Sequence, residues 1–205
     1  DVDGHIGTFL SGEVPVHEEH LGTFPAPGWL KKYEWKRWAK GEELPWALDP
    51  PGGLLAHANN LMVQPGAEPF VTAHFDAAPG YRQERIEHLL KETPKHDLQT
   101  FSAIQTDVFS LRGKHVLQRM LEDLGEGAGL SDPALAALGL LKKWNWHATA
   151  DGPEAAIFFA TYRVALQTAL RDELSEDGVR FFLAQRYSTN VADRWFEDPL
   201  HPVWD

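Results

Sequence analysis

Cysteine is absent from the 205 residues. That excludes disulfides, a thiol nucleophile and cysteine metal sites, and it leaves the compartment open. Long apolar runs are missing too. Each is broken by charge well before the ~20 residues that a spanning helix needs, so no transmembrane segment and no membrane partner are expected. Positive charge is scarce: 19 Lys and Arg stand against 30 Asp and Glu, a formal net charge of −11. This argues against nucleic acid as a partner, because phosphate backbones are held by clustered Lys and Arg. The basic cluster that exists is Lys31-Lys32 with Lys36-Arg37, interleaved with Trp29, Tyr33, Trp35 and Trp38. It reads as aromatics packed under Lys stems. Trp29, Trp35, Trp38 and Trp46 also leave open a carbohydrate-binding surface.

The short catalytic signatures are lacking as well. Ser11-Gly12 has no first Gly of a GxSxG elbow, and Pro51-Gly52-Gly53 does not continue into a phosphate-cradling GKS/T loop. Glu18-Glu19 and Glu42-Glu43 read as solvated loop acids. His17 and His20 flank that first pair at i, i+3, which could form part of a metal site, but no HExxH spacing is present. No metal and no cofactor are assigned. Residue 1 is Asp, with no initiating Met or leader pattern, so the true N-terminus is expected upstream.

What is present is an apolar and aromatic chain: 43% hydrophobic, with 8 Trp, 11 Phe, 14 Pro and 17 Gly. Asp1-Val2-Asp3-Gly4 reads as a tight turn. Residues 5–16 have strand composition with Gly punctuation, as one arm of a hairpin whose partner lies upstream. Residues 17–51 look irregular. A Pro-rich turn, Asp49-Pro50-Pro51-Gly52, leads into a second strand over 53–63, whose apolar run Leu54-Leu55-Ala56 meets the amides Asn59-Asn60. Helical patterns follow. Residues 81–92 place Ile86, Leu89 and Leu90 on one face and stop at Thr93-Pro94. Residues 97–124 carry a longer pattern with Gly113 as a candidate interruption. Ser131-Asp132-Pro133 starts a helix to about Trp144, with Ser131 as the capping oxygen. Asp151-Gly152-Pro153-Glu154 starts another to about Leu174, with a stripe of Ala155, Phe158, Phe159, Tyr162, Leu166 and Leu170. A last helix covers roughly 178–187, and the tail from Trp195 to Pro202 is extended.

The fold class is therefore α+β: a few strands in residues 1–75, then a mostly helical half. The chain reads as one partial domain over 1–205, with a strand and loop part at 1–80 and a helical part at 81–195. A few isolated strands cannot cover their faces or pair their edges alone, so the chain is expected to be a piece of something larger.

Two residues stand out chemically. An Asn side-chain N–H can be aimed at charge developing on an oxyanion, which makes Asn59 a candidate, with His57 beside it. The alternative is that Asn59 and Asn60 close the turn after a strand. Arg82 opens a helix, where a cation gains nothing from the dipole. A specific partner, a carboxylate or a backbone carbonyl, accounts for it better.

Six segments in order resemble the large (beta) subunit of the penicillin acylase family of N-terminal-nucleophile amidohydrolases, which includes acyl-homoserine-lactone acylases. His5-Ile6-Gly7 with Gly12-Glu13-Val14-Pro15-Val16 is similar to "NIGY…G.IP.R". Pro25-Ala26-Pro27-Gly28 with Tyr33-Glu34-Trp35 resembles "PVPG…YEW.G". Leu44-Pro45, Asp49-Pro50-Pro51-Gly52-Gly53 and Ala58-Asn59-Asn60 resemble "LP…NP..G.I..ANN". Tyr81-Arg82 with Arg85-Ile86 resembles "YR..RI", and Gln105-Thr106-Asp107 the helical "Q.D". Trp144 with Ala155-Ala156-Ile157-Phe158 resembles "L..WDG…S.AA.IF".

The resemblance implies an incomplete piece of an αββα N-terminal-nucleophile fold. It places the side-chain oxyanion donor on Asn59 and the active-site Arg on Arg82. It implies hydrolysis of a small linear or cyclic amide through an acyl-enzyme, in a periplasmic or secreted protein. The partners implied are the rest of the beta subunit and an alpha subunit cut from the same precursor. The implied nucleophile, a Ser or related residue freed by autocleavage, has its own α-amino group as base. The sequence departs from the pattern in several places. Asp1 is not a nucleophile, and the "SNNW" start and the "GG.SG…S.HY" region are absent. Glu68-Pro69-Phe70 stands where some members place a calcium-binding Asp, so calcium ligands are not matched. His17 replaces an Arg, and Asn145-Trp146 replaces Asp-Gly.

Overall fold

The computed structural model describes residues 1–16, 25–61, 77–185 and 188–204. It divides into two compact units, Asp1–Lys91 and Glu92–Asp205.

Among the described residues the first unit carries short strands, two 3-10 turns and one α-helix. Strand β1 (Gly7–Phe9) pairs antiparallel with β4 (Trp46–Leu48), and β2 (Pro15–Val16) with β3 (Arg37–Trp38). The partner of the first strand thus lies downstream, not upstream. Its register, Gly7 opposite Leu48 and Phe9 opposite Trp46, is anchored at Asp49. That residue takes a left-handed φ of 45°, and its carboxylate accepts from the Ile6 N–H at 3.0 Å and lies 2.7 Å from His5 Nδ1. Residues 25–51 are mostly loop, but they contain β3 and β4. A small core of Val16 and Leu44 sits under Leu10, Val14 and Ala39. Arg37 and Glu43 brace this region with a two-pronged pair at 2.6 and 2.7 Å. The guanidinium, with the Lys40 N–H, holds the Glu43 carboxyl down at about 2.

The second strand expected over 53–63 does not form within its described part, 53–61. The apolar run Leu54-Leu55-Ala56 finds no ladder. Asn59 breaks extension with a left-handed φ of 61°, and Asn60 Oδ1 accepts the Ala58 N–H at 3.0 Å, closing a local turn. Helix α1 (Tyr81–Glu92) then forms as its periodicity predicts, and Pro94 prevents its extension by excluding the helical basin at Thr93.

The second unit holds six helices among the described residues: α2 (Leu98–Gln105), α3 (Leu111–Leu124), α4 (Asp132–Leu141), α5 (Glu154–Ala169), α6 (Glu176–Ala184) and α7 (Thr189–Glu197). The pattern over 97–124 is split, but not at Gly113. Its break spans 106–110, where the backbone leaves the helix to bond residues 146–148. Ser110 N–H donates to Trp146 O at 2.7 Å and Ala148 N–H to Val108 O at 2.9 Å. Ser110 then caps α3 by accepting the Gly113 N–H at 2.9 Å. Gly113 lies inside α3 because a Cβ there would meet the Trp144 ring at 2.7 Å. Asp97 and Thr100 cap α2 reciprocally, each side chain taking the other's N–H at 2.8 Å.

Three further expectations need correction. Ser131 makes no side-chain cap bond; the Pro in the first turn of α4 supplies the fixed φ instead. Helix α5 ends at Ala169, and α6 begins earlier than expected, at Glu176, capped by Ser175 Oγ from the Gly178 N–H at 3.2 Å. The tail is not extended from Trp195. Ala192 and Phe196, at i and i+4, are drawn into the core, so that α7 continues to Glu197. That core is aromatic: Phe158 and Tyr162 of α5, Trp144 and Phe196, with Leu117 and Leu166. Fully burying a side chain such as Phe158 stabilises by about 1.5–3 kcal/mol. Phe159, expected in the same stripe, is 43% exposed.

Candidate functional site

Asn59 and Arg82 meet within the first unit. The chain reaches Asn59 after a turn closed by Gly53 N–H to Pro50 O at 2.8 Å, with Gly53 at a φ of 63°. Ala58 is buried. Asn tolerates a left-handed backbone better than most L-residues, which fits the φ of 61° at position 59. The conformation is held from two sides. The Ala78 N–H donates to Asn59 O at 2.6 Å. From the first turn of α1, Arg82 Nη2 donates to Ala58 O at 2.6 Å and to Asn59 Oδ1 at 2.9 Å.

This contact settles which way the amide points. A guanidinium has five donors and no acceptor, so the amide oxygen must face it. The Nδ2 group therefore points away, and it has no partner among the described residues. A hydrogen bond from a cation is roughly twice as strong as a neutral one, and it polarises the amide so that the opposite N–H donates better. No carboxylate lies within ion-pair reach of Arg82 among the described residues. Its charge is met by two neutral oxygens. Among the described residues the result is an exposed N–H donor backed by a positive charge that no carboxylate opposes. Such a group can stabilise negative charge that develops on an oxygen placed before it.

The neighbours play other parts. Asn60 braces the turn, taking the Ala58 N–H and donating through Nδ2 to Leu61 O at 3.2 Å. His57 is exposed and takes no part in the Asn59–Arg82 contact. His17, His20 and Glu68-Pro69-Phe70 lie outside the described residues. Among the described ones, no three of His, Asp and Glu are grouped as a metal site. Lys32 Nζ lies over the Tyr33 ring, 4.6 Å from its centre, while Trp29, Trp35, Trp38 and Trp46 are 83%, 60%, 46% and 61% exposed.

The penicillin amidase family model matches residues 1–205. The chain belongs to the penicillin amidase family. It is 35% identical over 168 residues to the penicillin acylase 2 proenzyme of a Pseudomonas strain, covering 81% of this chain and 21% of that protein. It is 30% identical to the acyl-homoserine lactone acylase QuiP of Pseudomonas putida over 98% of this chain and 26% of that one. The fold resembles a thermostable penicillin G acylase from Alcaligenes faecalis with a TM-score of 0.68 at 18% identity, over 89% of this chain and 34% of that chain. The chain thus spans between about a fifth and a third of the length of these relatives.

This penicillin amidase family member also contains a buried polar cluster that the sequence reading did not single out. Asp193 of α7 is 6% exposed. Its Oδ1 accepts from Arg112 Nε at 3.1 Å, Arg112 Nη2 at 2.8 Å and the Tyr162 hydroxyl at 2.7 Å. Arg112 Nη2 also donates to the Tyr162 oxygen at 2.6 Å, and its guanidinium lies 4.4 Å from the centre of the ring. Burial pushes the Tyr162 hydroxyl far above its ordinary range, against the nearby Arg112 charge. The available signal was an Asp inside the apolar run Val191-Ala192-Asp193 followed by Trp195-Phe196, which has to find a buried partner. The cluster ties α3, α5 and α7 together, and it is a packing device of the second unit.

Proposed function

We propose that the protein is part of an amidohydrolase that cleaves a small linear or cyclic amide through an acyl-enzyme. In this reading the Asn59 Nδ2–H group is the side-chain oxyanion donor and Arg82 is the group that aims it. The supporting observation is the grip of Arg82 on Ala58 O and Asn59 Oδ1, which leaves the amide N–H outward and polarised. Family membership supports the reaction class, since the relatives carry the names of acylases.

Attack on an amide carbon puts charge on the carbonyl oxygen. A donor fixed before attack costs no reorganisation at that moment, and one such donor contributes about 3–4 kcal/mol. The nucleophile is a terminal Ser-type residue whose amine takes the hydroxyl proton. It is supplied by another part of the same precursor, together with the rest of the beta subunit and an alpha subunit. The 205 residues alone are accordingly inactive. The fold reading is an incomplete αββα sandwich, supported by the β1–β4 sheet, whose Phe9, Trp46 and Leu48 stand exposed on one face. Export to the periplasm or outside the cell goes with this family reading, and cell fractionation tests it.

The decisive experiment is amide hydrolysis by the intact protein carrying Asn59→Ala. A loss of 10²–10³ in kcat is expected, and full activity would remove Asn59 from the mechanism. A second reading, a non-catalytic scaffold of the same architecture, draws on the lack of a complete catalytic set in these residues. It requires the intact protein to hydrolyse no amide at all.

A further inference from the structure

A cleft of about 380 Å³ opens in the second unit beside α5 and α6. Its volume lies within the range of small-molecule sites, roughly 300–1,000 Å³. Arg163, Gln167 and Arg171 line it at i, i+4 and i+8, a spacing that puts all three on one side of α5 and the turn that follows. Arg180 and Val179 face it from α6, with Leu174 from the connection. Three arginines thus line the cleft, with Glu176 as the carboxylate among its lining residues. Among the described residues, the ion pair of Arg180 is a long, exposed contact with Asp177 at 3.5 Å. Arg163 and Arg171 are in no ion pair among the described residues. In a chain of net charge −11 this local excess of positive charge runs against the whole.

We propose that this cleft binds a small organic dicarboxylate. Guanidinium forks match carboxylate geometry. Arg163 lies on α5 and Arg171 just past its end, a separation on the order of 10 Å, or roughly two helical turns, which suits two acidic groups better than one. Leu174 and the buried Val179 give an apolar floor for a short spacer between them. The net charge of the chain repels long polyanions, so the occupant is a small molecule. The site is separate in its residues from Asn59 and Arg82 and stands whether or not these take part in hydrolysis.

Calorimetric titration of the intact protein with suberate, octanoate and inorganic phosphate tests the proposal. Suberate is expected to saturate one site and to bind at least about fivefold tighter than either of the others, with binding weakened by salt. The double variant Arg163→Gln/Arg171→Gln should lose about tenfold or more at unchanged Tm, since both side chains are exposed. Glu176→Gln, which removes the lining carboxylate, should tighten suberate several-fold. Failure of suberate to saturate, phosphate binding as tightly as suberate, or indifference to the double variant would each overturn the site.

Discussion

Replacing Asn59 by Asp separates an aimed donor from a structural turn residue. The change is isosteric and keeps the left-handed backbone, which Asp tolerates as Asn does. It also keeps the oxygen that Arg82 grips at 2.9 Å, now as a carboxylate paired with a cation. The turn and the anchoring of α1 are therefore retained, and Tm should stay level or rise. What is lost is the Nδ2 donor. Loss of one oxyanion donor costs about 2.7–4 kcal/mol, or 10²–10³ in kcat. The new negative charge adds repulsion toward the developing oxyanion. Two unit charges at about 4 Å repel by about 4 kcal/mol at an effective dielectric of 20, partly offset by Arg82. The expected fall in kcat is thus at least about 10³, with KM changed far less. The assay is hydrolysis of a chromogenic N-acyl amide by the intact protein, with Tm measured in parallel. Asn59→Gly is the companion, because Gly accepts a φ of 61° without strain and also lacks the donor. A stable Asn59→Asp protein with kcat within tenfold of the parent would refute the oxyanion assignment and leave Asn59 as a turn residue.

Other outcomes follow from the second unit and the loops. Removing one member of the Arg112–Asp193 pair, as in Arg112→Met, should destabilise by about 3–5 kcal/mol in urea unfolding, because it strands a buried charge. Tyr162 is held protonated in the fold, while an unfolded Tyr ionises near 10.0. Its contribution is therefore complete below pH 10 and is lost as pH rises above it, and Tyr162→Phe should flatten that alkaline decline in Tm. Gly113→Ala gains helix propensity worth about 1 kcal/mol but drives a Cβ to 2.7 Å from the Trp144 ring. A net loss of up to about 2 kcal/mol by denaturant melting is expected, from overpacking of about 1–3 kcal/mol. Glu43 should titrate by NMR near 2, and Arg37→Gln should bring it back toward the 4.5 of a free carboxylate. The stability linked to Glu43 is present above 4.5 and falls away as pH drops toward 2.

Helices were legible where a single stripe and a local stop signal coincide, as in Tyr81–Glu92 before Pro94. They were misjudged where tertiary bonds decide. Nothing between Thr106 and Ser110 announces a break; it exists because Trp146 and Ala148, some forty residues on, take the backbone out of the helix. The run Leu54-Leu55-Ala56 has the composition of a strand, but a strand needs a partner, and the left-handed Asn59 turns the chain before one is met. Arg82 was singled out because a cation at a helix start lacks a local reason. Its partners, 23 and 24 residues away, emerge only in three dimensions. Asp193 and Arg112 lie 81 residues apart, and no pattern at that distance names one from the other.

The chemistry of Arg82 sharpens what Asn59 can do. Had a carboxylate held this guanidinium, the pair would be neutral and its field at the amide small. Among the described residues the partners are a peptide carbonyl and a side-chain amide oxygen, both uncharged. A Lys could not hold both oxygens with the same planar fork. Among the described residues no carboxylate offsets the positive charge behind a donor that is held before any substrate arrives. Static recognition of a neutral amide gains little from that arrangement, because the ground-state carbonyl carries no full charge. A group whose charge appears only during reaction gains most. The cost is a left-handed non-Gly residue, about 1–2 kcal/mol of backbone strain, held by the Ala78 N–H and by Arg82 together. Strain of this kind persists where surrounding contacts over-determine it, and at Asn59 they converge on the orientation of one N–H.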